Sequence, residues 1–144
     1  MAGEVTMGED AARALQEAEN FCWRMNVAIV APEHLLAGCL KVLNAIGVTG
    51  LPTDSGIDSA LLMTQGMSDE QLNQNVMFGS GARDTVNFTA RLVREAGGGE
   101  IDARTLAYGI IQSGELGPML YNALGTTKAD LLAALATDQS EPRP

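Results

Sequence analysis

The feature of this sequence that most constrains its fold is a helical spacing of apolar residues that recurs along the chain. In the segment from Asp10 to Met25, the apolar side chains follow one another at intervals of four, three, four and three residues: Ala11, Leu15, Ala18, Cys22 and Met25. That spacing predicts one apolar stripe along an amphipathic helix. A second helix is predicted from Pro32, because proline in the first turn, followed here by Glu33, is a common helix start.

The same pattern occurs a second time, at an offset of 71 residues. The aligned pairs are Ala11 with Ala82, Leu15 with Val86, Phe21 with Leu92, Cys22 with Val93, Val30 with Ile101, Leu35 with Leu106, Gly38 with Gly109, Cys39 with Ile110 and Leu40 with Ile111. Few of these pairs are identities, so chance similarity is the alternative explanation. The order of helix, break and helix nevertheless recurs in both halves, which favours a duplicated helical unit.

Local signals divide the rest of the chain into helices and connections. We expect a loop from Gly47 to Gly56, a short helix from Ile57 to Gln65, a turn starting at Ser68, helices from Ala82 to Ala96 and from Leu116 to Leu124, and a last helix after Thr127. Asp102 is expected to cap the helix that follows the glycines at 97–99, and Gly125 to end the next one. Residues 137–144 are predicted to be a flexible polar tail.

Composition excludes several classes of function. The 144 residues carry 18 acidic and 9 basic side chains, a formal charge of −9, and the basic residues are scattered. Nucleic acid is therefore not an expected partner. The apolar runs are far shorter than the ~20 residues that span a bilayer, and the first residues do not form a secretory signal. We expect a cytoplasmic protein without a membrane partner, in which Cys22 and Cys39 are small buried apolar residues.

Two segments carry a resemblance to a known family. Residues 31–40 read Ala-Pro-Glu-His-Leu-Leu-Ala-Gly-Cys-Leu, which is similar to the Thr-Glu-His-Leu-Leu-Leu-Gly-Leu-Leu signature of the Clp ATPase N-terminal repeat domain. Residues 78–83, Phe-Gly-Ser-Gly-Ala-Arg, more weakly resemble the segment that opens the second repeat of that family. The resemblance covers residues 7 to 136 and implies an all-α fold: a pseudo-twofold duplication of a four-helix repeat, with about eight helices in one domain over 1–136. The repeats would span about 7–75 and 78–136.

The sequence also departs from the family pattern. In the second repeat Arg104 and Thr105 replace the Glu-His pair, and Met7 occupies the opening aromatic position of the first repeat. Residues 41–66 align poorly. The chain has no GxxxxGK[ST] phosphate loop and is too short to include an ATPase module, so it resembles the N-domain without its motor.

Glu33 and Arg104 occupy equivalent positions of the two repeats. In some family members the acid at the position of Glu33 helps to recognise phosphorylated arginine, and Glu33 is a candidate for that role. The structural alternative is that its carboxylate stabilises the start of a helix. Pro32 removes one backbone donor beside it, and Arg104 reverses the charge in the second repeat. Arg104 is a candidate for binding an acidic partner, for pairing with Glu100 or Asp102, or for simple solvation.

His34 is the single histidine of the chain. With Cys22 and Cys39 it offers at most three metal ligands, and these lack the paired short spacing of structural zinc sites. The alternative is a histidine that is packed in the interior or caps near a helix start. We keep it as a candidate ligand-binding residue, and we expect neither a metal nor a cofactor.

Met7 and Phe78 each precede the first helix of a repeat, and a pseudo-twofold relation would bring those helices together. In relatives of the resembled family this region binds adaptors and some cyclic peptide antibiotics, so both side chains are candidate binding residues. The alternative is that each only packs against its helix start.

The resemblance implies a protein-binding or peptide-binding module without enzymatic activity. It would act as an adaptor or accessory factor in Clp-dependent proteolysis, with Clp components, their substrates or their adaptors as partners. The alternative is a sequestering protein that holds cyclic peptide antibiotics or modified substrates away from the full-length Clp ATPase. A third hypothesis, an enzyme on a borrowed helical fold, would require a deep polar pocket around Glu33 and His34.

Overall fold

The computed structural model describes residues 3–70, 72 and 75–136, and that part of the chain holds seven helices and four short strands. The helices are α1 (Glu9–Arg24), α2 (Pro32–Ala45), α3 (Asp54–Thr64), α4 (Ser80–Glu95), α5 (Ala103–Gln112), α6 (Pro118–Leu124) and α7 (Lys128–Ala136). The strands are β1 (Val5–Met7), β2 (Ile29–Val30), β3 (Met77–Phe78) and β4 (Gly99–Ile101). The helical fold class predicted from the sequence is confirmed, with one helix fewer than expected in the described residues.

The helical scaffold is duplicated. Helices α1 and α4 each have 16 residues and begin 71 positions apart, and α2 and α5 also begin 71 positions apart. Each half continues with a shorter helix, α3 or α6, and these two helices pack against each other. Only the second half adds a further helix, α7, among the described residues. In the first half, the turn expected from Ser68 is a bend at residues 69–70.

The four strands form two parallel pairs, which the sequence did not indicate. In one pair Met7 of β1 lies opposite Ile101 of β4, and in the other Phe78 of β3 lies opposite Val30 of β2. The 71-residue offset converts each of these pairs into the other. In each pair, the strand that precedes the first helix of one half pairs with the strand that joins the first two helices of the other half. The two halves are therefore interlocked.

Two glycines allow the first two helices of each half to approach closely. A Cβ atom on Gly38 of α2 would lie 2.2 Å from the carbonyl oxygen of Ala14 in α1. At the equivalent place, a Cβ atom on Gly109 of α5 would lie 1.9 Å from Oγ1 of Thr89 in α4. The alignment of Gly38 with Gly109 therefore reflects one helix crossing that is built twice.

Helix α2 is the centre of the core. It packs against α1, α3, α4 and α5, and residues 34–40 are all buried. A helix that is apolar on every side is expected to be enclosed in this way. Cys22 and Cys39 are buried, as predicted, and both have free thiols.

Several predicted helix ends are confirmed. The carboxylate of Asp102 accepts a hydrogen bond from the amide of Thr105, and the hydroxyl of Thr127 accepts one from the amide of Asp130. Gly125 ends α6 with a φ of 77°, in the left-handed region that glycine favours. The predicted tail, 137–144, lies outside the described residues.

Three predicted helix starts are wrong. Helix α4 begins at Ser80 rather than Ala82, because Gly79 before it is extended and is the N-cap. Helix α3 begins at Asp54 rather than Ile57, because the hydroxyl of Thr53 caps it by accepting a hydrogen bond from Gly56. Helix α6 begins at Pro118 rather than Leu116, where the fixed φ of proline suits a first turn.

Candidate functional site

An open apolar groove lies where α1 and α4 of the two halves face each other. Its volume is about 300 Å³, and it is lined by Leu15, Phe78, Arg83, Val86 and Asn87. Leu15 and Val86 are equivalent under the 71-residue offset, so the groove lies at the junction of the halves. We call it the Phe78 groove.

Phe78 is held in the groove by the strand that precedes α4. It lies opposite Val30 in the parallel pair, and its half-buried side chain packs against the core. Its carbonyl oxygen accepts a hydrogen bond from Nη1 of Arg83 at 3.1 Å. Arg83 therefore bridges the strand and the helix, and its guanidinium forms a cationic border beside an apolar surface.

Met7 occupies the position in the first half that is equivalent to Phe78, but it does not line this groove. Its side chain is 40% exposed, and the position equivalent to Arg83 is occupied by Ala12. The scaffold is symmetric here while the surface is not. Of the two candidate residues at the junction, the structure places Phe78 in the groove and leaves Met7 on the open surface.

The carboxylate of Glu33 joins the two halves by a hydrogen bond. Its Oε2 atom accepts a hydrogen bond from the amide of Gly117, at 3.3 Å, directly before α6. The pKa of Tyr121 in α6 is raised, mainly because the phenol is partly buried and also because of the negative charge of Glu33. The carboxylate thus contacts the start of α6 rather than a separate pocket.

His34 is buried, with 2% of its surface exposed. Its Nδ1 atom accepts a hydrogen bond from the amide of Ala31 at 2.9 Å, so the side chain caps α2. Burial lowers the pKa of His34 to about 4, which keeps the ring neutral at physiological pH. Because Nδ1 is the acceptor, the neutral ring carries its proton on Nε2, and this atom has no partner among the described residues.

Arg104 contacts the end of the last described helix. Its Nη1 atom donates a hydrogen bond to the carbonyl oxygen of Leu135 in α7, and a positive charge is favourable near a helix C-terminus. Around it lies a shallow depression of about 250 Å³, which is lined by Arg104, Thr105, Tyr108, Leu135 and Ala136. The contact with α7 was not among the roles expected from the sequence.

The structure therefore does not bring the five candidate residues into one site. His34 faces the core, Glu33 contacts the start of α6, and Arg104 contacts α7. Met7 is on the open surface, so Phe78 is the one candidate among the five that lines the groove. Leu15, Val86, Arg83 and Asn87 were not nominated as binding residues. The alignment of Leu15 with Val86 was the signal available for finding them.

Burial keeps both cysteine thiols protonated at neutral pH. Burial, followed by the charge of Glu19, raises the pKa of the Cys22 thiol to about 12. Burial also raises the pKa of Cys39, and protonated thiols are poor nucleophiles. Among residues 3–70, 72 and 75–136, no group of three or more His, Cys, Asp or Glu side chains is placed to hold a metal ion.

In the same part of the chain, no helix is long and apolar enough to cross a membrane.

Comparison with known proteins identifies the fold. No family model matches the sequence, and no curated protein matches it. Among solved structures, the fold is similar to the crystal structure of the N-terminal domain of ClpD, a caseinolytic protease associated chaperone from Arabidopsis thaliana. The TM-score is 0.73 at 18% sequence identity, over 91% of this chain and 95% of that chain. The architecture described above is accordingly that of a Clp N-domain.

Proposed function

We propose that the chain is a binding module without enzymatic activity that acts as an adaptor or accessory factor in Clp-dependent proteolysis. One domain over residues 1–136 would bind polypeptides of this system in the cytoplasm. The partners would be Clp components, their substrates or their adaptors. The observation that carries the proposal is the Phe78 groove. It is an open apolar surface at the junction of the two halves of a scaffold that is similar to one Clp N-domain.

The chemistry of the groove supports a polypeptide ligand. Leu15, Val86 and the Phe78 ring supply apolar surface, and Arg83 with Asn87 supplies polar groups at its border. Apolar clefts with a few polar groups are the usual form of peptide and small-ligand sites. Aromatic and arginine side chains are the residue types that most often carry binding energy at interfaces.

The experiment measures the effect of the purified chain on a reconstituted Clp unfoldase and protease. Degradation of fluorescein-labelled casein is followed while the chain is added in increasing amounts, and direct binding to the unfoldase is measured by fluorescence anisotropy. We expect a saturable change in degradation rate. Phe78→Ala should weaken the effect at least about tenfold, since losing an aromatic anchor typically costs 2 kcal/mol or more at about 1.4 kcal/mol per tenfold.

Phe88→Ala is the matched control. Phe88 is a half-buried phenylalanine on α4 that does not line the groove, and Arg91 lies over its ring at 5.5 Å. Arg83→Ala changes an exposed groove residue without emptying the core, which separates loss of binding from loss of folding. The proposal is contradicted if the chain neither binds a Clp component nor alters degradation. It is also contradicted if Phe88→Ala weakens the effect on casein degradation as much as Phe78→Ala does.

The second candidate function is sequestration of a cyclic peptide or modified substrate. It is favoured by the volume of the groove, about 300 Å³, which is at the lower end for small-ligand pockets. In this case cyclic peptide antibiotics should raise the thermal unfolding temperature of the chain, and the chain should not bind the unfoldase. An adaptor or accessory factor should instead bind a Clp component or alter the degradation of casein.

A further inference from the structure

A second cleft, separate from the Phe78 groove, lies along α1 beside the segment that leads into β3. Its volume is about 340 Å³, and the residues that line it are Gln16, Glu19, Asn20, Trp23, Asn75 and Val76. It shares no lining residue with the Phe78 groove. We call it the Trp23 cleft.

Trp23 is exposed although it is the largest side chain of the protein. Its exposed fraction is 54%, and it is not part of the buried core. Glu19 lies one helical turn before it on the same face of α1, as residues four apart do. An indole beside polar side chains therefore remains available to a ligand, and its face attracts cations.

The polar groups of the cleft offer hydrogen-bond acceptors. Nε2 of Gln16 donates a hydrogen bond to Oδ1 of Asn20 at 3.1 Å, and within the described residues no protein donor bonds to the Gln16 oxygen. In that part of the chain the Glu19 carboxylate also makes no ion pair, since the salt bridge found there joins Lys41 to Asp58. An indole face next to a carboxylate and an amide oxygen matches the needs of a cation with several N–H donors.

We propose that the Trp23 cleft binds an unmodified cationic side chain, arginine or lysine, of a polypeptide partner. The cation lies over the indole of Trp23 and donates hydrogen bonds to the Glu19 carboxylate. The net charge of −9 favours the approach of a basic segment. A phosphorylated arginine is disfavoured here because its phosphate would lie near the Glu19 carboxylate. The proposal deepens the proposed function, on which it rests for the polypeptide nature of the partner.

The single tryptophan of the chain makes the test direct, because its fluorescence reports on this cleft alone. The probe is a short peptide with blocked ends, Gly-Arg-Gly, and it is compared with the same peptide in which citrulline, the neutral isostere, replaces arginine. We expect a saturable change in Trp23 emission with the arginine peptide. The citrulline peptide should bind at least about fivefold more weakly than the arginine peptide. Glu19→Gln should weaken binding of the arginine peptide by a similar factor.

Glu17→Gln is the matched control, since it makes the same charge change on α1 at a residue that does not line the cleft. Equal affinity for the citrulline peptide overturns the proposal, and so does an equal loss in the Glu17 and Glu19 variants. Saturation by a neutral sugar without a response to the arginine peptide also overturns it. Phe78→Ala should leave this titration unchanged, so a failure here is distinguishable from a failure of the casein assay.

Discussion

Adding one methyl group at Gly38 should destabilise the protein, because α1 and α2 touch at this residue. A Cβ atom there would lie 2.2 Å from the carbonyl oxygen of Ala14 and 3.3 Å from the backbone nitrogen of Ala18. Both contacts are made by the backbone of α1, so no side-chain rotation relieves them. The two helices would have to separate by about 1 Å to restore ordinary van der Waals contact.

The expected size of the effect follows from two opposing contributions. Overpacking of a core typically costs about 1–3 kcal/mol, and a clash with backbone belongs at the upper end of that range. Replacing glycine by alanine inside a helix returns about 1 kcal/mol. Gly38→Ala should therefore lower the free energy of unfolding by about 2 kcal/mol, which for a chain of this size is a decrease in Tm of about 6 °C.

The assay is urea unfolding followed by circular dichroism at 222 nm. Gly109→Ala should also be destabilising, because the Thr89 hydroxyl that it meets is hydrogen-bonded to the carbonyl of Thr85 at 2.8 Å. Gly56→Ala is the control: its Cβ would meet only the Thr53 hydroxyl, at 3.2 Å, and the stability should change by less than about 1 kcal/mol. A Gly38→Ala variant as stable as the parent chain would refute the close helix crossing.

Three further predictions concern single contacts. Burial lowers the pKa of His34 to about 4, so His34 binds a proton more tightly in the unfolded chain than in the folded one. The free energy of unfolding should therefore fall by up to about 3 kcal/mol as the pH drops from about 6.5 to about 4. His34→Gln should lack this part of the pH dependence in urea unfolding. Glu33→Gln should lower the pKa of Tyr121 toward its ordinary value, measured by phenolate absorbance. Arg104→Ala should accelerate amide hydrogen exchange in α7, since the Leu135 carbonyl loses a donor worth about 1 kcal/mol; unchanged exchange rates would show that the contact does not hold the helix.

The helices were predictable from the sequence while the strands were not, for a physical reason. A helix that covers a core must repeat apolar residues at short intervals, and that pattern is local. The pair of Phe78 with Val30 joins segments 48 residues apart, and the pair of Met7 with Ile101 joins segments 94 residues apart. Strands of two or three residues carry too short a pattern to be recognised, so their pairing depends on how the helices pack.

The candidate site was predictable only in part. Phe78 was named because of its position before a helix, and the structure places it in a groove. The hydrogen bond from the amide of Gly117 to Glu33 was not predictable, since it joins residues 84 positions apart and depends on how the two halves pack together. Trp23 was missed for a different reason. It lies off the apolar stripe of α1, so its spacing indicates an exposed position, but exposure alone does not distinguish a ligand-binding aromatic residue from a solvated one.

The inequality of the two halves has a consequence for binding stoichiometry. A duplicated scaffold with equal surfaces would present two equivalent sites, one at each end of the junction. Here Phe78 and Arg83 stand on one side, while Met7 and Ala12 occupy the equivalent positions. Ala12 offers no cation, and the flexible Met7 side chain lacks an aromatic face. We therefore expect one ligand per chain at the Phe78 groove, measurable by isothermal titration calorimetry with a ligand that binds in the casein assay. A stoichiometry of two, with both events abolished by Phe78→Ala, would contradict this asymmetry.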